Sequence, residues 1–269
     1  MRGDNWLTVV TVVRNDAAGL LRTSDSVAGQ MVPGVQHLIV DGDSDDDTPD
    51  VLAALATRPA TRVISEADRG IYDAMNKGWR HADGRYVQYL NAGDVYSSPQ
   101  ELAWVRDRIV GDSPVWLRTQ VRFVDTAGVQ TRPVAATAID DRFWWGWQAT
   151  LHQGAFMTRD LLEELGGFDI GMRVQGDFDL MLRAWRAGCR PRLVDRVTVD
   201  VDASGVSTQL WRVGYREMHV ARTRGASVPR TLASRLDLGA HVATVGAKRT
   251  ARRGLEAVLG EDRVKRLRR

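Results

Sequence analysis

Four strand-forming runs occupy the first ninety residues: LTVVTVV (Leu7 to Val13), HLIV (His37 to Val40), TRVIS (Thr61 to Ser65) and YVQYL (Tyr86 to Leu90). A helix-length stretch separates each from the next. After the first run Leu20, Leu21, Val27, Ala28 and Met31 recur at helical spacing. Thr48 followed by Pro49 marks a helix start, and GIYDAMNKGWRHA reads as a further helix. Strands joined through helices pair in parallel with right-handed crossovers, so the pattern predicts an α/β fold with a mostly parallel central sheet.

Parallel strands put their C-terminal ends on one edge, where open α/β sheets bind ligands. Asp41 ends the second run, Asp68 follows the third, and Asp94 follows the fourth in the turn NAGD. Carboxylates crowded together repel unless a cation or a proton relieves them. A divalent ion with oxygen ligands would do so. Aspartates also suit ordinary turns, so spacing alone leaves a metal or nucleotide site and simple polar turns both open. Asp45 to Asp47 in DGDSDDDTPD have the character of a solvated face before a helix.

After Asp94 the alternation loosens. Pro99 to Ile109 reads as helix and VWLRTQVRFVD as strand. Leu161 to Leu165 and Asp177 to Ala187 read as helices, RLVDRVTVDV as a late strand, and Gln209 to Arg224 as an amphipathic helix. Beyond Gly225 the chain is rich in Ala and Arg and helix-compatible. With 43% hydrophobic and 26% charged residues, its 269 residues suffice for a substantial core. A single cysteine, Cys189, excludes an intrachain disulfide and a cysteine metal cluster. The run in MRGDNWLTVVTVVRND is too short and too β-branched for a signal peptide, and no segment is long enough to span a bilayer. Lys248 to Arg269 holds nine Lys/Arg against three Asp/Glu, so the net charge of +3 divides into +6 there and −3 elsewhere. Leu255, Val258 and Leu259 share one helical face in that segment, which fits either a lipid-surface helix or a solvated one. Nucleic acid is a poor match, because the basic residues do not extend over the acidic remainder.

The segments TVVTVVRND, HLIVDGDSDDDT, ISEADRGIYDAMNKGWRHADGRYVQYLNAGD, HQGAFMTRDLLEELGGFD and QGDFDLMLRA together resemble the family 2 glycosyltransferases, over about residues 6 to 225. The likeness is closest to bacterial members that build cell-surface polysaccharides and glycolipids. It implies a GT-A fold, with a Rossmann-like nucleotide-binding half at about 1–98 and an acceptor half at about 99–225; the basic helical extension at 226–269 lies beyond the likeness. It further implies an inverting transfer of sugar from a nucleotide-diphosphate donor to a hydroxyl acceptor, in the cytoplasm or peripherally at the inner face of the cell membrane. Carried onto this chain, Thr11, Val13, Asp41, Asp68 and Arg69 would bind the nucleotide. Asp94 would hold Mn2+ or Mg2+ on the diphosphate, with His152 as an additional candidate ligand. Asn91 and Gly93 stand where fuller versions of the motif have acids, so Asp94 is the single carboxylate from that turn. Asp177 would be the catalytic base; taken as an isolated Gly-Asp, without the resemblance, it reads more readily as a helix cap. Asp179 is its competitor and reads as structural. Trp144, Trp145 and Trp147 would contact the acceptor or fill the core. A sugar nucleotidyltransferase is the alternative enzyme, although RNDAAGLL lacks the glycine-rich basic loop of that class. A catalytically silent carbohydrate-binding protein is the alternative non-enzyme.

Overall fold

The computed structural model describes residues 5–124, 133–134, 141–145, 151–203 and 210–259. They fall into two compact units, 1–208 and 209–269. The first is an eight-stranded mixed sheet. Its strands are β1 (Leu7–Val13), β2 (Val35–Asp41), β3 (Thr61–Ser65), β4 (Tyr86–Tyr89), β5 (Val95–Tyr96), β6 (Trp116–Val124), β7 (Ala155–Thr158) and β8 (Arg192–Asp202), in the order β3-β2-β1-β4-β7-β6-β8-β5. The first four are parallel to one another as expected, with Leu7 to Val13 in continuous register against Val35 to Asp41. β7 then inserts antiparallel between β4 and β6, and β5 pairs antiparallel with β8.

Helices α1 (Ala17–Ala28), α2 (Thr48–Leu55), α3 (Ile71–Arg80), α4 (Glu101–Asp112), α5 (Asp141–Trp144), α6 (Arg159–Glu164) and α7 (Gly176–Arg186) complete this unit. α2 differs at its start from the sequence reading. Asp47 holds the cap position, Thr48 lies inside the helix, and the Asp46 carboxylate accepts from the Thr48 backbone N–H at 2.9 Å.

β1 is buried along its whole length, and its two threonines explain how a polar residue survives there. Thr8 donates to Gln36 Oε1 at 2.7 Å, and Gln36 in turn donates to Asp83 at 2.6 Å. Thr11 meets His37 Nε2 at 3.0 Å. Buried polar groups are tolerated because each is paired. Leu7, Val9, Tyr86, Leu90, Leu102, Val105, Leu117 and Phe156 form the larger apolar cluster. Val13, Leu20, Ile39, Leu52 and Leu55 form a second beside it.

His37 makes the first unit's stability depend on pH. Burial, helped by the nearby Arg58 charge, pushes its imidazole down from 6.5 to about 4. Between those two values the unfolded chain holds the extra proton, so this group makes stability rise with pH across that window. Asp94, pushed up to about 6, acts in the opposite direction, so the quantity to read is a difference between two proteins. The unfolding free energy of the natural chain minus that of His37→Gln should increase by about 2 kcal/mol from pH 5 to pH 7. Urea unfolding of both proteins at the two pH values measures it, and a flat difference would contradict the assignment.

The second unit consists of α8 (Trp211–Thr223) and α9 (Val228–Leu259), which pack on each other. It takes in the amphipathic helix read at Gln209 to Arg224.

Candidate functional site

The three strand-end aspartates do share the C-terminal edge of the parallel strands, but each has its own donors. Asp41 is buried and accepts from Ser65 Oγ at 2.7 Å and Ser44 Oγ at 2.5 Å. Asp68 lies over Gly42 and accepts from the Gly70 N–H at 2.8 Å. Arg69 is largely exposed and extends toward Asp73. Thr11 spends its hydroxyl on His37, and the Val13 side chain is in the apolar cluster. What these two can offer a ligand is therefore backbone.

Asp94 sits at the centre of the NAGD turn. The turn reverses through Gly93 at φ +98, a conformation that favours glycine. Thr23 of α1 braces it from below, donating to the carbonyl of Asp94 at 2.8 Å and accepting from the Gly93 N–H at 3.0 Å. The Asp94 carboxylate takes three more donors: Gln153 Nε2 at 3.0 Å, the Asp202 N–H at 3.1 Å and the Asn91 N–H at 3.2 Å. It is only 2% exposed, and burial outweighs these bonds to push it up to about 6.

Asp177 stands in the first turn of α7 and does not cap it; Gln175 occupies the cap position. Its Oδ2 meets His152 Nδ1 at 2.7 Å. The remaining polar atoms of this pair, Asp177 Oδ1 and His152 Nε2, are buried without a hydrogen-bond partner. Burial alone would lower the His152 imidazole, but Asp177, and beyond it Asp94, hold it above its ordinary value. Asp177 thus bonds His152 and Asp94 bonds the adjacent Gln153, so two carboxylates 83 positions apart in the chain meet neighbouring residues of one segment.

Aromatic residues fix this arrangement. Tyr89 of β4 lies edge-on to His152 at 6.3 Å and to Phe168 at 5.3 Å, and Tyr72 of α3 stacks on Phe168. The Tyr72 hydroxyl donates to the Val174 carbonyl at 2.8 Å, and its ring packs so close to Gly176 that a Cβ there would lie 2.5 Å away. Asn76 grips the Phe168 backbone through both its amide atoms, each at 2.8 Å. Tyr72 and Asn76 belong to the block GIYDAMNKG, and sequence reasoning assigned them no role. Gln153 was missed too, although it adjoins His152. Behind the pair a small hollow is walled by Val87, Met157, Phe168, Leu180 and Met181, so Asp177 and His152 have apolar surroundings.

Asp179, read as structural, is buried and paired with Arg183 at 2.8 Å. Trp144 is buried and Trp145 half-buried, their rings perpendicular at 4.8 Å. Trp147 lies outside the described residues.

Among the described residues no group of three or more His, Cys, Asp or Glu side chains is placed to hold a metal by itself. The donor set around Asp94 nevertheless suits a hard cation that keeps other oxygen ligands. Both Asn91 and Gln153 bond to Asp94, and their own carbonyl oxygens, Asn91 Oδ1 and Gln153 Oε1, are buried without a partner. An all-oxygen set of this kind matches Mg2+ or Mn2+.

The model of the family Glycosyl transferase family 2 matches residues 8–166. The uncharacterized glycosyltransferase Rv1514c of Mycobacterium tuberculosis H37Rv is 32% identical over 206 residues, covering 75% of this chain and 77% of that protein. The PGL/p-HBAD biosynthesis glycosyltransferase Rv2957 of the same organism is 30% identical over 200 residues, covering 73% and 75%. In three dimensions the chain is similar to the mannosyltransferase PcManGT from Pyrobaculum calidifontis, solved with GDP-Man and Mn2+. The TM-score is 0.65 at 21% identity, over 97% of this chain and 78% of that one. It is also similar to S. aureus TarS 1–349 in complex with UDP, with a TM-score of 0.63 at 15% identity, over 80% of this chain and 64% of the TarS fragment. The fold is that of the GT-A glycosyltransferases, and the chain belongs to glycosyl transferase family 2.

Proposed function

We propose that the chain is an inverting glycosyltransferase that moves a sugar from a nucleotide-diphosphate donor to a hydroxyl of a bacterial cell-envelope glycan or glycolipid. The observation that carries this reading is the placement of Asp177 on His152 and of Asp94 on the adjacent Gln153, with Asp177 Oδ1 left without a partner. Donors of this class are supported by the GDP-Man and UDP in the similar structures.

In this reading residues of about 1–98 take the nucleotide, Asp41, Asp68 and Arg69 among them, with the backbone at Thr11 and Val13. Residues of about 99–225 take the acceptor, Trp145 and Trp147 against its sugar or lipid and Trp144 in support. Asp177 Oδ1 removes the acceptor hydroxyl's proton. The acceptor oxygen bonds to the anomeric carbon as the carbon–oxygen bond to the diphosphate breaks, and the nucleoside diphosphate leaves from the opposite face with inversion. His152 holds Asp177 Oδ2 and so aims the free oxygen. Mn2+ or Mg2+, held by Asp94 with Asn91 Oδ1 and Gln153 Oε1, would neutralise charge on the departing diphosphate.

A thermal-shift series with UDP and GDP, each with and without Mn2+, tests the donor assignment. One of them at about a hundred times its Kd should stabilise the chain by about 2.7 kcal/mol, a rise in Tm of several degrees, and should need the metal to do so. A flat response to every nucleotide would overturn the donor assignment.

A further inference from the structure

We propose that the outward face of α9 docks the chain on an anionic lipid surface, lying in the headgroup layer without crossing it. The proposal rests on the polarity of the second unit and is independent of the transfer reaction.

A helix of a soluble protein turns its apolar stripe inward and its polar residues to water. In α9 polar groups take part of the inward face beside the half-buried Leu238 and Val245, while a second apolar stripe is left facing out. Ser234 is fully buried and meets His219 Nδ1 of α8 at 2.8 Å. Asp237 faces inward to Arg222, which is 3% exposed, at 2.6 Å. Facing out are Val228 at 73% exposure, Leu232 at 55% and Leu236 at 77%, followed by Gly239, Ala240 and Ala243. These positions follow one another at three- and four-residue spacing, a single stripe roughly 22 Å long. Two charged residues are exposed between Val228 and Ala247, both arginines: Arg235 borders the stripe, and Arg230 lies on the far side of the helix. In the sequence, Asp237 is the sole acid from Val228 to Leu255, and it is the one turned inward.

The charge of the whole unit selects the partner. Residues 209–269 contain fifteen Lys/Arg and five Asp/Glu, a net +10, so residues 1–208 carry −7 of the chain's +3. An apolar stripe bordered by Arg235 on a strongly basic unit fits an interface of acyl chains beneath anionic headgroups. Nucleic acid would use the charge but has no use for exposed Leu232 and Leu236. A second copy of the unit would bring +10 against +10. Among the described residues no helix is long and apolar enough to cross a membrane, so the contact is superficial. The sequence pointed to Leu255, Val258 and Leu259; the exposed apolar face begins more than twenty residues earlier, at Val228.

Co-sedimentation of the full chain with lipid vesicles tests the proposal. The protein should sediment with vesicles of phosphatidylcholine plus phosphatidylglycerol, about tenfold less with phosphatidylcholine alone, and less again as salt is raised. The double substitution Leu232→Gln with Leu236→Gln should weaken binding to the anionic vesicles by about tenfold or more. Both side chains are exposed, so the helical circular dichroism should be unchanged, which separates lost docking from lost folding. Three results would overturn the proposal: a natural chain that stays in solution with anionic vesicles, a doubly substituted chain that binds as well as the natural one, or a dimer in solution that the double substitution converts to monomer while vesicle binding persists.

Discussion

Asp177→Asn should lower turnover by about 10²- to 10⁴-fold while leaving nucleotide binding as it was. Asparagine has the size of aspartate and can still accept the bond from His152 Nδ1, so the arrangement about Tyr89 and Phe168 survives. What disappears is the basicity of the free oxygen, Oδ1. The loss should therefore fall on kcat, with the nucleotide-dependent rise in Tm retained. Release of nucleoside diphosphate in the presence of acceptor measures the first, and the thermal shift measures the second. Normal turnover in this variant would remove Asp177 from the chemistry. Asp179 cannot substitute for it, being buried against Arg183, which also reaches the carbonyls of Leu165 and Gly167.

The parallel half of the sheet was legible because β1 to β4 are short apolar runs set apart by helices, and that spacing leaves parallel pairing as the simple solution. The antiparallel insertion was not legible. β7 has four residues and β5 two, too few for a period to register, and their partners are chosen across the sheet. The carboxylates were visible as residues, yet their environments were not. Asp41, Asp68 and Asp94 share an edge, but serines, a glycine N–H and a glutamine amide supply each separately. The pairing of His152 with Asp177 spans 25 positions, and the grip of Asn76 on Phe168 spans 92. No local pattern encodes either. The same holds for α9, where Val228, Leu232 and Leu236 display helical spacing in the sequence, but only packing on α8 decides that this face looks outward.

Asp94 is the residue for which two roles compete, and a pair of substitutions separates them. As a turn lock, its carboxylate receives Asn91 N–H, Asp202 N–H and Gln153 Nε2. Asp94→Ala would leave these three donors, one buried and two part-buried, without an acceptor, at about 1–3 kcal/mol each. Against that, a carboxyl group raised to about 6 by burial is held ionised at neutral pH at a penalty of about 3 kcal/mol, which alanine relieves. The net expectation is a loss of about 3 kcal/mol in urea unfolding. Asp94→Asn keeps one acceptor oxygen and removes the buried charge, so its stability should lie within about 1 kcal/mol of the natural chain. An ion, however, needs the charge. Asparagine should therefore abolish the Mn2+-dependent part of the nucleotide thermal shift as fully as alanine does, although the protein remains as stable as before. A stable Asp94→Asn protein with its metal-dependent shift intact would make Asp94 a structural carboxylate, and the ion would have to be held elsewhere.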